Sequence, residues 1–203
     1  MLSTKIFVVL DRSGSMDSCK NDTIGGFNTF VKNQKDIKAD TAFLSLYQFD
    51  HEYLISFENK PISQVENLNQ ETFTPRGNTA LLDAIGRTIN SIQANKDETI
   101  IVVIITDGEE NASHEFSKDK INKMINEKKE LGWEFVFLGA NQDAIKSAAN
   151  IGIGPNSSLT YSANKSKEAW TSVSAAIERT RSTPMAARSA IAFTSEERNT
   201  SID

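Results

Sequence analysis

Apolar residues in this chain recur in two rhythms, and the rhythms predict its elements. Ile6-Phe7-Val8-Val9-Leu10, Ile100-Ile101-Val102-Val103-Ile104-Ile105 and Trp133-Glu134-Phe135-Val136-Phe137-Leu138 are nearly unbroken, β-branched or aromatic runs. Such runs read as strands covered on both faces, the pattern of a parallel sheet. Ala42 to Asp50 and Glu52 to Phe57 alternate instead and are separated by about one residue, which predicts an antiparallel hairpin. Ser158-Leu159-Thr160-Tyr161 is a short candidate edge strand.

Helical spacing fills the intervals. A helix is expected from about 18 to 36 with Ile24, Phe27, Phe30 and Val31 inward. Gly25-Gly26 inside it implies close helix–sheet packing or a late start. A second helix starts at Thr79 and buries Leu81, Leu82, Ile85, Ile89 and Ile92. A third is capped by Ser113 or Ser117, buries Ile121, Met124, Ile125 and Leu131, and stops at Gly132. A short helix is expected over about 142–149, and a last one over 165–181 with Ala169, Trp170, Val173, Ala176 and Ile177 inward. Residues 62–75 read as a short helix and loop anchored by Phe73. Alternating strands and helices of this length define a doubly wound α/β sheet. Residues 1–182 form its domain, and 183–203, where periodicity fades, are expected to be a flexible tail.

Composition narrows the function. The 203 residues are 38% hydrophobic and 24% charged, ordinary for a water-soluble fold, and the net charge of −5 comes without a basic stripe, which excludes a nucleic-acid surface. No apolar run reaches membrane-spanning length, and residues 6–10 are too short for a signal-peptide core. Cys19 is the only cysteine, so no internal disulfide forms and a reducing, cytoplasmic setting is expected.

The chemistry concentrates where strands end. Asp11, Ser13 and Ser15 follow the first strand at every second position, so locally extended backbone sends their oxygens to one side and Arg12 to the other. Carboxylate and hydroxyl donors without thiol or imidazole suit a hard cation such as Mg²⁺. Gly77-Asn78-Thr79-Ala80-Leu81 and the strand ending Thr106-Asp107-Gly108 are the stretches that can add donors. Asp-x-Ser-x-Ser, then Gly-x-Thr-Ala-Leu, then a strand ending Thr-Asp-Gly resembles the metal-ion-dependent adhesion site, or MIDAS, of von Willebrand factor A domains. All five ligand positions of that motif have a match: Asp11, Ser13, Ser15, Thr79 and Asp107.

The resemblance, over roughly residues 4–180, implies a six-stranded sheet of order 3-2-1-4-5-6 with strand 3 antiparallel and helices on both faces. It implies Mg²⁺, with Mn²⁺ as the other candidate, and an open coordination position filled by a Glu or Asp of a protein partner. Secretion by the general route is not expected, and in this the chain resembles the small intracellular bacterial and phage members, some of which are adaptors in multiprotein or ATPase-linked complexes. A non-enzymatic, Mg²⁺-dependent interaction module is therefore expected, without nucleic-acid or membrane partners. The tail offers a route to self-association if its carboxylates fill a neighbour's site.

The rival class is a metal-dependent hydrolase or phosphatase at the same residues. Against it, the sequence has no Gly-x-x-x-x-Gly-Lys-Ser/Thr loop, no Gly-x-Ser-x-Gly elbow and no Asp-x-Asp in the first motif. Asp17, Glu109 and Glu110 read as a solvated rim, Asp83 as a helix-dipole partner or the orienter of a metal-bound water, and His51 and His114 as surface residues.

Overall fold

The computed structural model describes residues 3–140, 143–183, 187 and 190–202. Six strands form one sheet of order β3-β2-β1-β4-β5-β6. They are β1 (Ser3–Asp11), β2 (Thr41–Phe49), β3 (Tyr53–Pro61), β4 (Glu98–Thr106), β5 (Glu134–Ala140) and β6 (Ser158–Tyr161). All pairs are parallel except β2–β3. This is the expected order, with the expected single antiparallel strand.

The unbroken apolar runs split by period two across the sheet. Ile6, Val8 and Leu10 with Ile101, Val103 and Ile105 face one core, against α1 (Lys20–Asp36) and α5 (Ser166–Ser182). Phe7 and Val9 with Ile100, Val102 and Ile104 face the other, against α2 (Leu81–Ser91), α3 (Lys118–Glu130) and α4 (Ala144–Asn150). Central strands covered on both sides must be apolar at every position.

Several local expectations change. The chain leaving β1 makes a 3₁₀ turn at Gly14–Cys19 before α1 begins. A β-carbon on Gly26 would lie 2.2 Å from Cδ1 of Trp170, so the close approach is between α1 and α5 and not between helix and sheet. Residues 62–75 contain only a 3₁₀ turn at Ile62–Gln64, although Phe73 is fully buried as an anchor. Leu131 lies beyond the end of α3 and is 70% exposed, because Gly132 (φ 83°) turns the chain there.

The last segment departs most. Over 190–202 the expected flexible tail is packed. Ile191 and Phe193 are buried, and α6 (Ser195–Ile202) lies against α5 and β6. Arg198 donates to the carbonyls of Pro155, Asn156 and Ser158, Ser162 N–H donates to Ser201 O at 3.0 Å, and Arg179 pairs with Glu197. These polar contacts give the segment a binding site on its own domain despite its weak periodicity. Residues 184–186, 188, 189 and 203 of the expected tail, and residue 142 of the expected short helix, lie outside the described residues.

Candidate metal centre

β1 and β4 are neighbours in the middle of the sheet, and the winding reverses between them. A crevice at the carboxyl ends of the strands is the usual result of such a reversal. Asp11 closes β1, and Thr106 closes β4 with Asp107 directly after it. The five residues singled out in the sequence meet there.

Asp11 is fully buried. Ser13 N–H donates to its Oδ1 at 2.6 Å and Thr106 Oγ1–H to its Oδ2 at 2.5 Å, so the carboxylate is held from both neighbouring loops. Ser13 Oγ and Ser15 Oγ lie 3.1 Å apart, and Ser15 Oγ–H donates to Asp107 Oδ1 at 2.6 Å. Gly108 marks where the hydroxyls converge. A β-carbon there would stand 3.0 Å from Thr79 Oγ1, 3.4 Å from Ser15 Oγ and 3.7 Å from Ser13 Oγ.

Thr79 is pinned by main-chain contacts on both sides. Its N–H donates to Asn111 Oδ1 (2.9 Å), and its carbonyl accepts from Asn111 N (3.0 Å) and Ala112 N (3.2 Å). The loop before it is tied to the first loop by Gly14 N to Gly77 O (3.1 Å) and Arg76 N to Arg12 O (2.8 Å). Thr79 does not cap α2, which starts at Leu81. Glu110 and Ser113 serve the first turn instead. Glu110 Oε2 accepts from Leu82 N at 2.9 Å and Ser113 Oγ from Asp83 N at 3.0 Å. Glu110 is therefore a capping group and not part of a solvated rim, while Asp17 and Glu109 are exposed as expected. Asp83 accepts from the amides of His114, Glu115 and Phe116. It orders the loop before α3 and has no place in the cup.

Electrostatics mark the cup as short of positive charge. Burial pushes the Asp11 carboxyl up from 3.8 to about 6, against the hydrogen bonds from Thr106 and Ser13, and the charge of Asp107 adds to the rise. Burial also raises Asp107, against its hydrogen bond from Ser15. Neither carboxylate has an ion-pair partner among the described residues, since Arg12 turns away to Asp50 at 3.2 Å. No three His, Cys, Asp or Glu side chains gather among the described residues, so any cation held here depends on the hydroxyls. Two acids and three hydroxyls match a hard divalent ion and fall short of its full coordination number. Beside Gly108 a cleft of about 320 Å³ opens, lined by Leu81, Leu82 and Phe137 and by charges of both signs, among them Lys118, Lys146, Glu109 and Asp143.

Sequence reasoning missed Thr106 as a site residue. Its signal was present, a hydroxyl residue ending the most apolar strand and directly preceding Asp107.

An open, doubly wound sheet with an oxygen-lined cup at its switch point defines a class of α/β ligand-binding domains. The model of the von Willebrand factor type A domain matches residues 5–176, and the chain belongs to that family. No curated protein sequence matches it. Among solved structures, the von Willebrand factor domain of the type V pili tip protein Mfa5 from Porphyromonas gingivalis superposes with a TM-score of 0.67 at 12% identity, covering 90% of this chain and 97% of that one. Proximal thread matrix protein 1 from the mussel byssus gives 0.62 at 18% identity over 85% of this chain and 45% of its own. The chain thus spans less than half of the mussel protein. Another structure of that mussel protein has zinc in its MIDAS motif, with a TM-score of 0.59 at 18% identity over 84% of this chain and 46% of its own. These likenesses are of fold. Among the described residues no helix is long and apolar enough to cross a membrane.

Proposed function

We propose that this chain is a Mg²⁺-dependent protein-interaction module, with Mn²⁺ as the other ion it accepts. Asp11, Ser13, Ser15, Thr79 and Asp107 hold the cation, and its role when bound is to present a Lewis-acidic position to a Glu or Asp of a partner protein. The observation that carries this reading is the convergence of three hydroxyls beside Gly108, next to two carboxylates without an ion pair among the described residues. The family supports it, and so does the zinc-bearing MIDAS of the mussel relative.

The residues divide the work. Asp11, locked by Ser13 and Thr106, fixes the floor; Ser13, Ser15 and Thr79 supply neutral oxygens; Asp107 supplies the second charge from the rim. With few anionic ligands, a divalent ion there retains affinity for an outside carboxylate. The neighbouring cleft gives room to the residues flanking that carboxylate. The reading is a binding one and not a catalytic one. The lone cysteine fits a reducing, cytoplasmic setting, and an adaptor role in a multiprotein assembly of a bacterial or phage host follows from the family resemblance.

The test is affinity capture of partners from the native host by the wild-type chain, by wild type with chelator, and by Asp11→Ala and Asp107→Ala. Partners retained only by metal-loaded wild type support the reading. Undiminished capture in all arms overturns it.

A further inference from the structure

We propose that Asp50 is a positioning residue for the metal centre, acting through the loop that carries Thr79. The inference rests on the metal-binding reading above and assigns a role to a buried charge that the reading does not use.

Asp50 follows β2 directly and is fully buried. Its Oδ1 accepts from Glu52 N at 2.6 Å, and its Oδ2 faces two guanidinium groups, Arg76 Nε at 2.9 Å and Arg12 Nε at 3.2 Å. Each arginine belongs to a loop of the cup. Arg12 stands between Asp11 and Ser13, and Arg76 lies three residues before Thr79. The Asp50 carbonyl also accepts from Ala80 N at 2.9 Å, directly after Thr79. Both ends of the Arg76–Ala80 span therefore contact one residue, with Thr79 between them, and Arg76 makes a second ion pair with Glu52. His51 Nδ1, 3.4 Å from Asp50 Oδ1, closes over Gly77, where a β-carbon would lie only 2.2 Å from it. Gly77 has φ +67°, so the span makes a left-handed turn that glycine alone adopts readily.

A buried carboxylate between two arginines is weak evidence for stability, because desolvation offsets much of the attraction. What it supplies is fixed geometry. Outer partners that orient a metal's ligands typically change its affinity by about 10–100-fold when removed.

A natural control lies at the other end of β2. The Asp40 side chain is also buried and pairs with an arginine, Arg181 Nε at 2.8 Å, but it ties α5 to the strand's start, away from the cup.

The experiment is calorimetric titration with Mn²⁺ alone, beside thermal melts in chelator. Asp50→Asn is expected to weaken Mn²⁺ binding about tenfold, whereas Asp40→Asn lowers the melting temperature and leaves the affinity near wild type. Arg76→Ala, at a half-exposed side chain that tolerates truncation, is expected to weaken Mn²⁺ in the same direction. In a Thr79→Ala background Asp50→Asn should add almost no further loss, the non-additivity of two residues acting as one unit. Wild-type affinity in both Asp50→Asn and Arg76→Ala, or a full and additive loss in the Thr79→Ala background, overturns the proposal. A wild-type chain that takes up no Mn²⁺ refutes the metal site itself and this role with it. Wild-type uptake with unaffected variants refutes the positioning role alone.

Discussion

Thr106 and Asp11, the last residues of two adjacent parallel strands, are joined side chain to side chain at 2.5 Å inside the protein. The threonine hydroxyl also accepts from Gly108 N at 3.1 Å, so one group connects the floor of the cup to its rim. Thr106→Val keeps the shape and removes both links. It is expected to weaken divalent-ion binding about tenfold and to cost about 1–2 kcal/mol of stability through the unpaired buried acceptor. Calorimetry and urea unfolding measure the two effects.

Acid should stabilise the metal-free protein over a defined interval. Asp11 titrates near 3.8 unfolded and about 6 folded, so between these values the native state binds more protons. Stability then falls as pH rises through that interval, by about 3 kcal/mol in total. Asp107, also raised by burial, adds to the slope in the same direction. Urea unfolding in chelator should show this decline, reduced in Asp11→Asn. Saturating Mg²⁺ should reverse it above pH 6, where the ionised cup binds the cation and binding adds stability by mass action.

Gly108→Ala tests the cup by filling it. The new methyl would stand within 3.0–3.7 Å of three hydroxyls, where a ligand atom is expected. Mn²⁺ affinity is predicted to fall about tenfold or more, with the melting temperature in chelator changed by only a few degrees. Unchanged Mn²⁺ affinity in a folded variant would place the cation elsewhere.

Deletion of residues 191–203 separates a docked segment from a loose tail. Removing the buried Ile191 and Phe193 is expected to cost about 3–6 kcal/mol from the two side chains alone. A truncated protein as stable as the full chain in urea would contradict the packing.

Cys19 should be chemically silent in the folded state. Burial pushes its thiol up to about 11, and thiolate is the reactive form. Alkylation near neutral pH should proceed only after denaturant is added.

The parts legible in the sequence were those written locally. Two unbroken apolar runs identify the central strands, and the Asp-x-Ser-x-Ser spacing singles out three residues that do gather, although it is the 3₁₀ turn from Gly14 and not extended backbone that brings Ser15 beside Ser13. The unread parts depend on contacts across long separations between polar groups, which leave no periodic trace. Glu110 reaches back to Leu82, Asp83 reaches forward to His114, and Arg198 reaches back to Ser158. α6 shows why such segments escape. Its buried residue is Ser201, and its hold on the domain is made of carbonyls and guanidinium groups. Gly26 escaped for a different reason, since glycine says that something comes close without saying what.

The docked segment also bears on how the molecule can assemble. By meeting Ser158 O and Ser162 N with its own groups, it occupies main-chain positions through which another strand would add beyond β6. An incoming strand must displace those contacts first, which couples any pairing at β6 to undocking of the protein's own last helix.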